Sequence, residues 1–245
     1  MSRNAILRAT TMAMALIVSC SAHGQSITDR AAIEKKVTQL FAALQSKDLN
    51  SVMAAWSVGS PQLANFREAT RADFVAFNDV RFVDLEFSKW NTESNRVSVR
   101  IRAHMRGRNA RTGQADEKLI VWDAHFVMEN GDWRWWKQLD AIAMLASRLR
   151  LAATREERSQ LILSGKDLLS AELIRVLNNW ADGQAKRRDF GEALRLNDLA
   201  LEVGSLLGDD VELGQCYKYR GLIFGYQMKN KEALEQGSVP GLVES

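Results

Sequence analysis

From residue 27 onward the chain first repeats its apolar residues at helical spacing and then switches to alternation. Ile33, Val37, Leu40, Phe41 and Leu44 recur three and four apart, which predicts an amphipathic helix. Lys47-Asp48 interrupts it, and Asp48 is a suitable N-cap for a second helix over Leu49–Trp56. Gly59-Ser60-Pro61 is a turn signal, and Leu63–Phe77 is expected to form a third helix burying Leu63, Phe66, Phe74 and Phe77. Beyond Asn78-Asp79 the period becomes two. Val83, Leu85 and Phe87 alternate with Asp84, Glu86 and Ser88. Val97, Val99, Ile101, Ala103 and Met105 alternate with Ser98, Arg100, Arg102, His104 and Arg106, and Gly107–Ala115 reads as a polar connection. In Leu119–Met128 the face carrying Ile120, Trp122, Ala124, Phe126 and Met128 is fully apolar, and Asn130-Gly131 then signals a hairpin into Trp133–Lys137. Helices followed by a strand meander predict an α+β domain, its helices packed on one face of an antiparallel sheet.

The second half is helical throughout. Asp140–Leu151 and Ala153–Lys166 read as connecting helices. Ala171–Arg187 is expected to bury Ile174, Leu177 and Ala181, and Phe190–Leu207 to bury Ala193, Leu194, Leu196, Ala200 and Val203. Asp209-Asp210 opens a third helix over Val211–Met228, with an acidic first turn that suits the helix dipole. Glu192-Ala193-Leu194 returns as Glu232-Ala233-Leu234 at an offset of 40 residues, with Asn230 at the position of Phe190. That copy then meets Gly237 and Pro240, so its last helix is expected to break after barely one turn.

Composition sharpens this picture at the N-terminus. Among 245 residues, 46% are apolar, 26% are charged and only two are proline, which describes a folded, helix-rich chain. Arg3 and Arg8 precede an uncharged run from Ala9 to Val18, and Ala22-His23-Gly24 is a small-x-small cleavage site. Residues 1–24 therefore read as a secretory signal, too short for a membrane-spanning helix. Removing them takes the 33 basic residues to 31 against 30 acids, a charge of +1. Nucleic-acid binding then loses its electrostatic footing. Cys216 is the single cysteine left, which excludes an intrachain disulfide.

Three resemblances carry the reading further. Ile17-Val18-Ser19-Cys20 resembles the lipobox of bacterial lipoproteins, which implies a membrane-tethered alternative acylated at Cys20. The helix pair IEKKVTQLFAALQSKDLNSVMAAW, the meander and the closing ENGDWRWWKQ resemble the nuclear-transport-factor-2-like superfamily over residues 27–140. That implies a curved-sheet cone, a fold that hosts both enzymes such as ketosteroid isomerase and binding modules. Ala181, Phe190, Ala193-Leu194 and Ala200, repeated in part at Tyr217, Gly221 and Ala233-Leu234, resemble tetratricopeptide repeats over residues 170–236. Residues 141–169 are left as a helical connector and 237–245 as an irregular tail. Such helical arrays are expected to need about three units to bury their faces, whereas this chain carries one and a half. The open face implies cover by the cone, by a partner, by self-association, or by further repeats of a longer protein.

Candidate chemistry is sparse. His104, Asp123 and His125 fall on the polar face of neighbouring strands, where a carboxylate could orient an imidazole as general base. Inward-facing ionisable groups of the kind ketosteroid isomerase uses are not apparent at matching positions. Two histidines without a nearby cysteine do not form a metal-ligand set, and no cofactor is indicated. Arg96, Arg100, Arg102, Arg106, Arg108 and Arg111 make a basic sheet face, and Trp133, Trp135 and Trp136 a cluster expected to lie at the core and rim of the cone. The repeat resemblance places Arg175, Asn178, Asp182, Lys186, Lys218 and Tyr226 on a concave surface that receives a protein or peptide segment. The expectation is an exported periplasmic or extracellular scaffold, more a binder than an enzyme. Its rival is a small-molecule or enzymatic cone using Asp123 and His125.

Overall fold

The apolar spacing of the first segment is realised in helix α1, residues 29–45, whose Ile33, Val37, Leu40 and Phe41 are buried. The computed structural model describes residues 29–237, with side chains described through 229; residues 1–24, read above as a secretory signal, with Cys20, and the tail after Gly237 lie outside the described residues. The chain divides between Leu139 and Asp140 into two compact units.

In the first unit α1 is followed by α2 (Leu49–Ala54) and α3 (Leu63–Ala76). Asp48 caps α2 as expected, its carboxylate accepting from the Ser51 amide at 3.1 Å. Helix α3 is less buried than its pattern promised: Leu63, Phe66 and Phe74 are half-covered, and Thr70 is its buried residue. Four antiparallel strands follow in chain order, β1 (Phe77–Glu93), β2 (Arg96–Asn109), β3 (Ala115–Glu129) and β4 (Asp132–Asp140). The β3–β4 turn at Asn130-Gly131 has both residues at positive φ, as a tight hairpin requires.

Strand β1 departs from the sequence expectation in an instructive way. It begins at Phe77, which was expected to end the third helix, and runs 17 residues against 14 in β2. Its register shifts between Asn78 and Arg81, between Val83 and Glu86, and between Ser88 and Asn91. Each interval holds one residue with positive φ, at Asp79, Asp84 and Lys89. Each is therefore a bulge with one extra residue, and the three account for the difference in length. A bulge reverses the alternation, so the core-facing residues are Phe82, Leu85, Phe87 and Trp90. Val83, expected on the core face, is set opposite His104 on the outer one. Bulges add twist, and three of them bend this edge strand into a curved sheet.

The opposite edge, β4, is closed by the chain itself. The amide of Ser57 donates to the Trp135 carbonyl and the Trp135 amide to that of Ala55, each at 2.9 Å. Further along, the Gln62 side chain donates to the Gln138 carbonyl at 3.1 Å and accepts from its amide at 2.8 Å, imitating a strand. An open edge would offer those groups to another chain. Between sheet and helices the interior is filled by rings: Phe41 stacks on Phe82 at 4.4 Å, and Trp135 lies 4.8 Å from Phe126 and 6.1 Å from Trp56.

The second unit holds α4 (Ala141–Leu151), α5 (Arg155–Ser164), a short 3-10 turn (Lys166–Leu168), α6 (Ala171–Lys186), α7 (Phe190–Leu207) and α8 (Asp210–Gly237). The side chains of Asp140, Thr154, Ser170 and Asp189 each cap the helix that follows, worth about 1 kcal/mol apiece. Helix α7 ends at Gly208, whose φ of 63° suits glycine. Gly204 lets α8 approach closely, since a Cβ there would lie 3.0 Å from Leu213 Cδ2. One expectation fails: the third helix does not end at Met228 but continues as a single helix to Gly237. Neither lysine nor asparagine at 229–230 supplies the glycine or proline that would force a stop.

The bulges yield a direct test. At Asp84, held at φ 55°, Asp84→Val is expected to destabilise the chain by about 1–2 kcal/mol, whereas Asp84→Gly is neutral or stabilising. Urea denaturation of both variants measures the difference, and a valine variant as stable as the glycine one would refute the left-handed bulge.

Candidate functional site

Alternation on β2 and β3 sends Arg100, Arg102, His104, Asp123 and His125 to the outer sheet face, as the sequence implied, but their register separates them. Arg100 lies opposite Asp123, Ser98 opposite His125 and Leu119 opposite His104. His104 is thus four positions along β2 from the residue facing Asp123. Its Nδ1 lies 3.4 Å from a Glu117 oxygen, which also accepts from Arg106 at 3.1 Å.

Asp123 is engaged elsewhere. Arg100 Nε donates to one carboxylate oxygen at 2.7 Å and its terminal nitrogen to the other at 2.8 Å. A forked, partly buried guanidinium of this kind is a strong partner for a carboxylate, so Asp123 is held as a structural anion. The basic face is accordingly interleaved with acids: Glu117 serves Arg106, Asp123 serves Arg100, and Glu86 sits opposite Arg102.

His125 stands apart from these pairs. It lines a cleft of about 340 Å³ with Asn91, Glu93, Arg96, Trp136 and Lys137. Partial burial is the main influence lowering its pKa; Lys137 adds to it and Asp123 opposes it. The imidazole is therefore held toward its neutral form, able to accept a proton or a hydrogen bond. Trp133 and Trp135 belong to the core, while Trp136 is half-exposed and walls this cleft. Among the described residues no group of three or more His, Cys, Asp or Glu side chains could hold a metal ion.

The second unit gathers part of the expected binding face. Lys186 bridges to Asp182 at 2.6 Å. That hydrogen bond is the leading cause of its raised pKa, with further contributions from Tyr226 and Tyr219. The Tyr219 hydroxyl in turn lies 3.3 Å from Asn179 Oδ1, joining α8 to α6. Arg175 is exposed and paired with Glu172, and Lys218 is exposed on α8 beside Tyr217.

Asn178 is a correction. It is 1% exposed and cannot meet a partner. Its Nδ2 donates to Cys216 Sγ at 3.4 Å, and its Oδ1 accepts from Asn197 Nδ2 at 3.0 Å. Asn197 also donates to the Cys216 carbonyl at 2.9 Å and accepts from Arg220 Nε at 2.9 Å. The sequence reading missed this node because a polar residue on a helix was taken to face water. Burial also pushes the Cys216 thiol above its ordinary range, leaving it an unreactive core group.

No protein-family model matches the chain, and no curated protein matches its sequence. Among solved structures it is similar to a nuclear transport factor 2-like superfamily protein from Salmonella enterica, with 12% identity and a TM-score of 0.42 over 46% of this chain and 89% of that one. A conserved protein from Planctomyces limnophilus gives 13% and 0.41 over 45% and 93%. The hexachlorocyclohexane dehydrochlorinase LinA type 2 gives 11% and 0.40 over 46% and 84%. The chain's own α+β fold is a curved four-stranded antiparallel sheet with helices.

His125 supplies the site's pH test. Its folded pKa is depressed, so the unfolded chain takes up a proton first. Its stabilising contribution is complete above about pH 6.5 and falls as the pH drops toward the folded value. NMR titration of the imidazole is expected to give a midpoint below that of a free histidine. Asp123→Asn should lower it further, and Lys137→Met should raise it. An unshifted midpoint would contradict the half-buried placement.

Proposed function

We propose that the chain is an exported interaction protein that holds a protein or peptide segment against the helices of its second unit. The observation carrying this reading is the cluster of Asp182, Lys186, Tyr219 and Tyr226, which draws polar and aromatic groups of α6 and α8 together. Helices α6, α7 and α8 pack against one another in all three pairings, the arrangement expected of a tetratricopeptide-like hairpin followed by the next first helix. Such arrays hold extended or helical segments along the surface formed by successive first helices, and here those are α6 and α8. An acid, a lysine and two tyrosines suit a polar segment without strong net charge, with Arg175 and Lys218 as exposed flanking contacts. Export rests on the signal-like residues 1–24, either as a free periplasmic or extracellular chain or tethered through Cys20.

A second reading is favoured by the His125 cleft, which has the volume and the neutral imidazole for a small-molecule site in the cone. It would use His125 with Lys137 and Glu93 as neighbours; Asp123, the expected acid partner, is taken by Arg100.

Affinity capture with the immobilised chain tests the main reading. Lys186→Glu combined with Tyr226→Ala is expected to reduce capture of a specific partner at least roughly tenfold, while His125→Ala in the cone leaves it unchanged. The reading fails if the helix variant captures the same partner as well as the parent, and passes to the cone if only His125→Ala releases it.

A further inference from the structure

Two arginines of the outer sheet face are matched by carboxylates, Arg100 by Asp123 and Arg106 by Glu117. Near the turn between β1 and β2 that matching stops. The register there sets two polar rows side by side. Asn91, Ser98 and His125 lie abreast on β1, β2 and β3, and in the next row Glu93 lies opposite Arg96. Glu93 does not pair with Arg96: its carboxylate accepts from Asn91 Nδ2 at 3.0 Å. Among the described residues, the side chains of Arg96 and Lys137 have neither an ion-pair nor a hydrogen-bond partner.

Both cations line the cleft of about 340 Å³ that His125 and Trp136 also wall, a volume at the small end of the range for organic ligands. Two unpaired cations against one acid, itself turned to an amide, leave the cleft electropositive, and a concave site focuses that field. A guanidinium matches a carboxylate through two parallel hydrogen bonds. The half-exposed Trp136 offers a ring face, on which flat groups stack. His125, held toward its neutral form by burial, and Ser98 beside it supply hydrogen-bonding groups without adding charge.

We propose that this cleft takes a small organic carboxylate with a flat apolar body, its carboxylate held by Arg96 and Lys137 and its ring laid on Trp136. Ser98 and His125 then meet a hydroxyl or ring nitrogen on the same ligand. The proposal rests on the second reading above, that the cleft is a small-molecule site, and adds the sign and shape of what it holds. A cationic ligand would face two cations with Glu93 alone to receive it, and a neutral one would gain nothing from either.

A charge series on one ring tests this. The chain is titrated with 2-naphthoate, 2-naphthamide and 2-naphthamidine, and the imidazole resonances are followed by NMR. Naphthoate is expected to shift His125 and leave His104 in place, with a dissociation constant at least roughly tenfold below that of naphthamide. Acetate, which has the charge without the ring, should bind at least roughly tenfold more weakly than naphthoate. Arg96→Met combined with Lys137→Met should abolish the preference for naphthoate over naphthamide without lowering the melting temperature, since neither side chain is paired in the chain. The amide or the amidine binding as tightly as naphthoate overturns the proposal and leaves the cleft a small-molecule site. So does acetate binding as tightly, or a preference that survives the double substitution. If none of the three naphthyl probes moves His125 at millimolar concentration, the proposal and the reading beneath it both fall.

Discussion

The side-chain amide of Asn197 is the point on which the second unit turns. Fully buried on α7, it bonds to Asn178 on α6 and to the Cys216 carbonyl and Arg220 on α8. A buried polar group left without a partner costs about 1–3 kcal/mol, and here several such groups satisfy one another at once. Sliding α8 along α6 and α7 by a residue would break several of these bonds together. Apolar packing around Leu177, Leu196 and Ile223 tolerates such slips far better. The node thus selects one register among several that hydrophobic burial alone would accept, as single buried asparagines do in coiled coils.

That register decides which residues of α8 are available for function. With Cys216 and Ile223 turned inward, Tyr226 and Tyr219 come beside Lys186 of α6. The proposed partner surface therefore rests on one fixed rotation of one helix. The cone is built on a different economy. Its edges are managed by three bulges in β1 and by the Gln62 side chain against β4, and its interior is filled with rings. Its outer face carries arginines matched with carboxylates, with a cleft at His125 beside them.

Much of this was legible in the sequence, and the exceptions share a cause. Helix α7 spans Phe190–Leu207 as its pattern implied, and the apolar faces of β2 and β3 are those read from strict alternation. Strand β1 was misread because bulges at Asp84 and Lys89 turn a period of two into steps of two and three, placing Leu85, Phe87 and Trp90 inward but Val83 outward. The spacing of Phe82, Leu85, Phe87 and Trp90 was a visible signal, though it departs from the template. Asn178 was misplaced because helical spacing gives a residue's direction but not whether a polar partner waits there. The pairing of Asp123 with Arg100 rather than His104 depended on a strand register that alternation does not fix.

Native-state hydrogen exchange along α8 tests the central claim most directly. If the Asn197 node locks the helix in place, the amides from Leu213 to Ile223 should exchange through the same opening as those in the middle of α6 and α7, with equal protection. An Asn197→Leu chain should lose that protection on α8 while retaining it on α6. Fast exchange of α8 in the parent chain, or unchanged protection after Asn197→Leu, would show that the helix is held by apolar contact alone and that its register is not set by the buried amide.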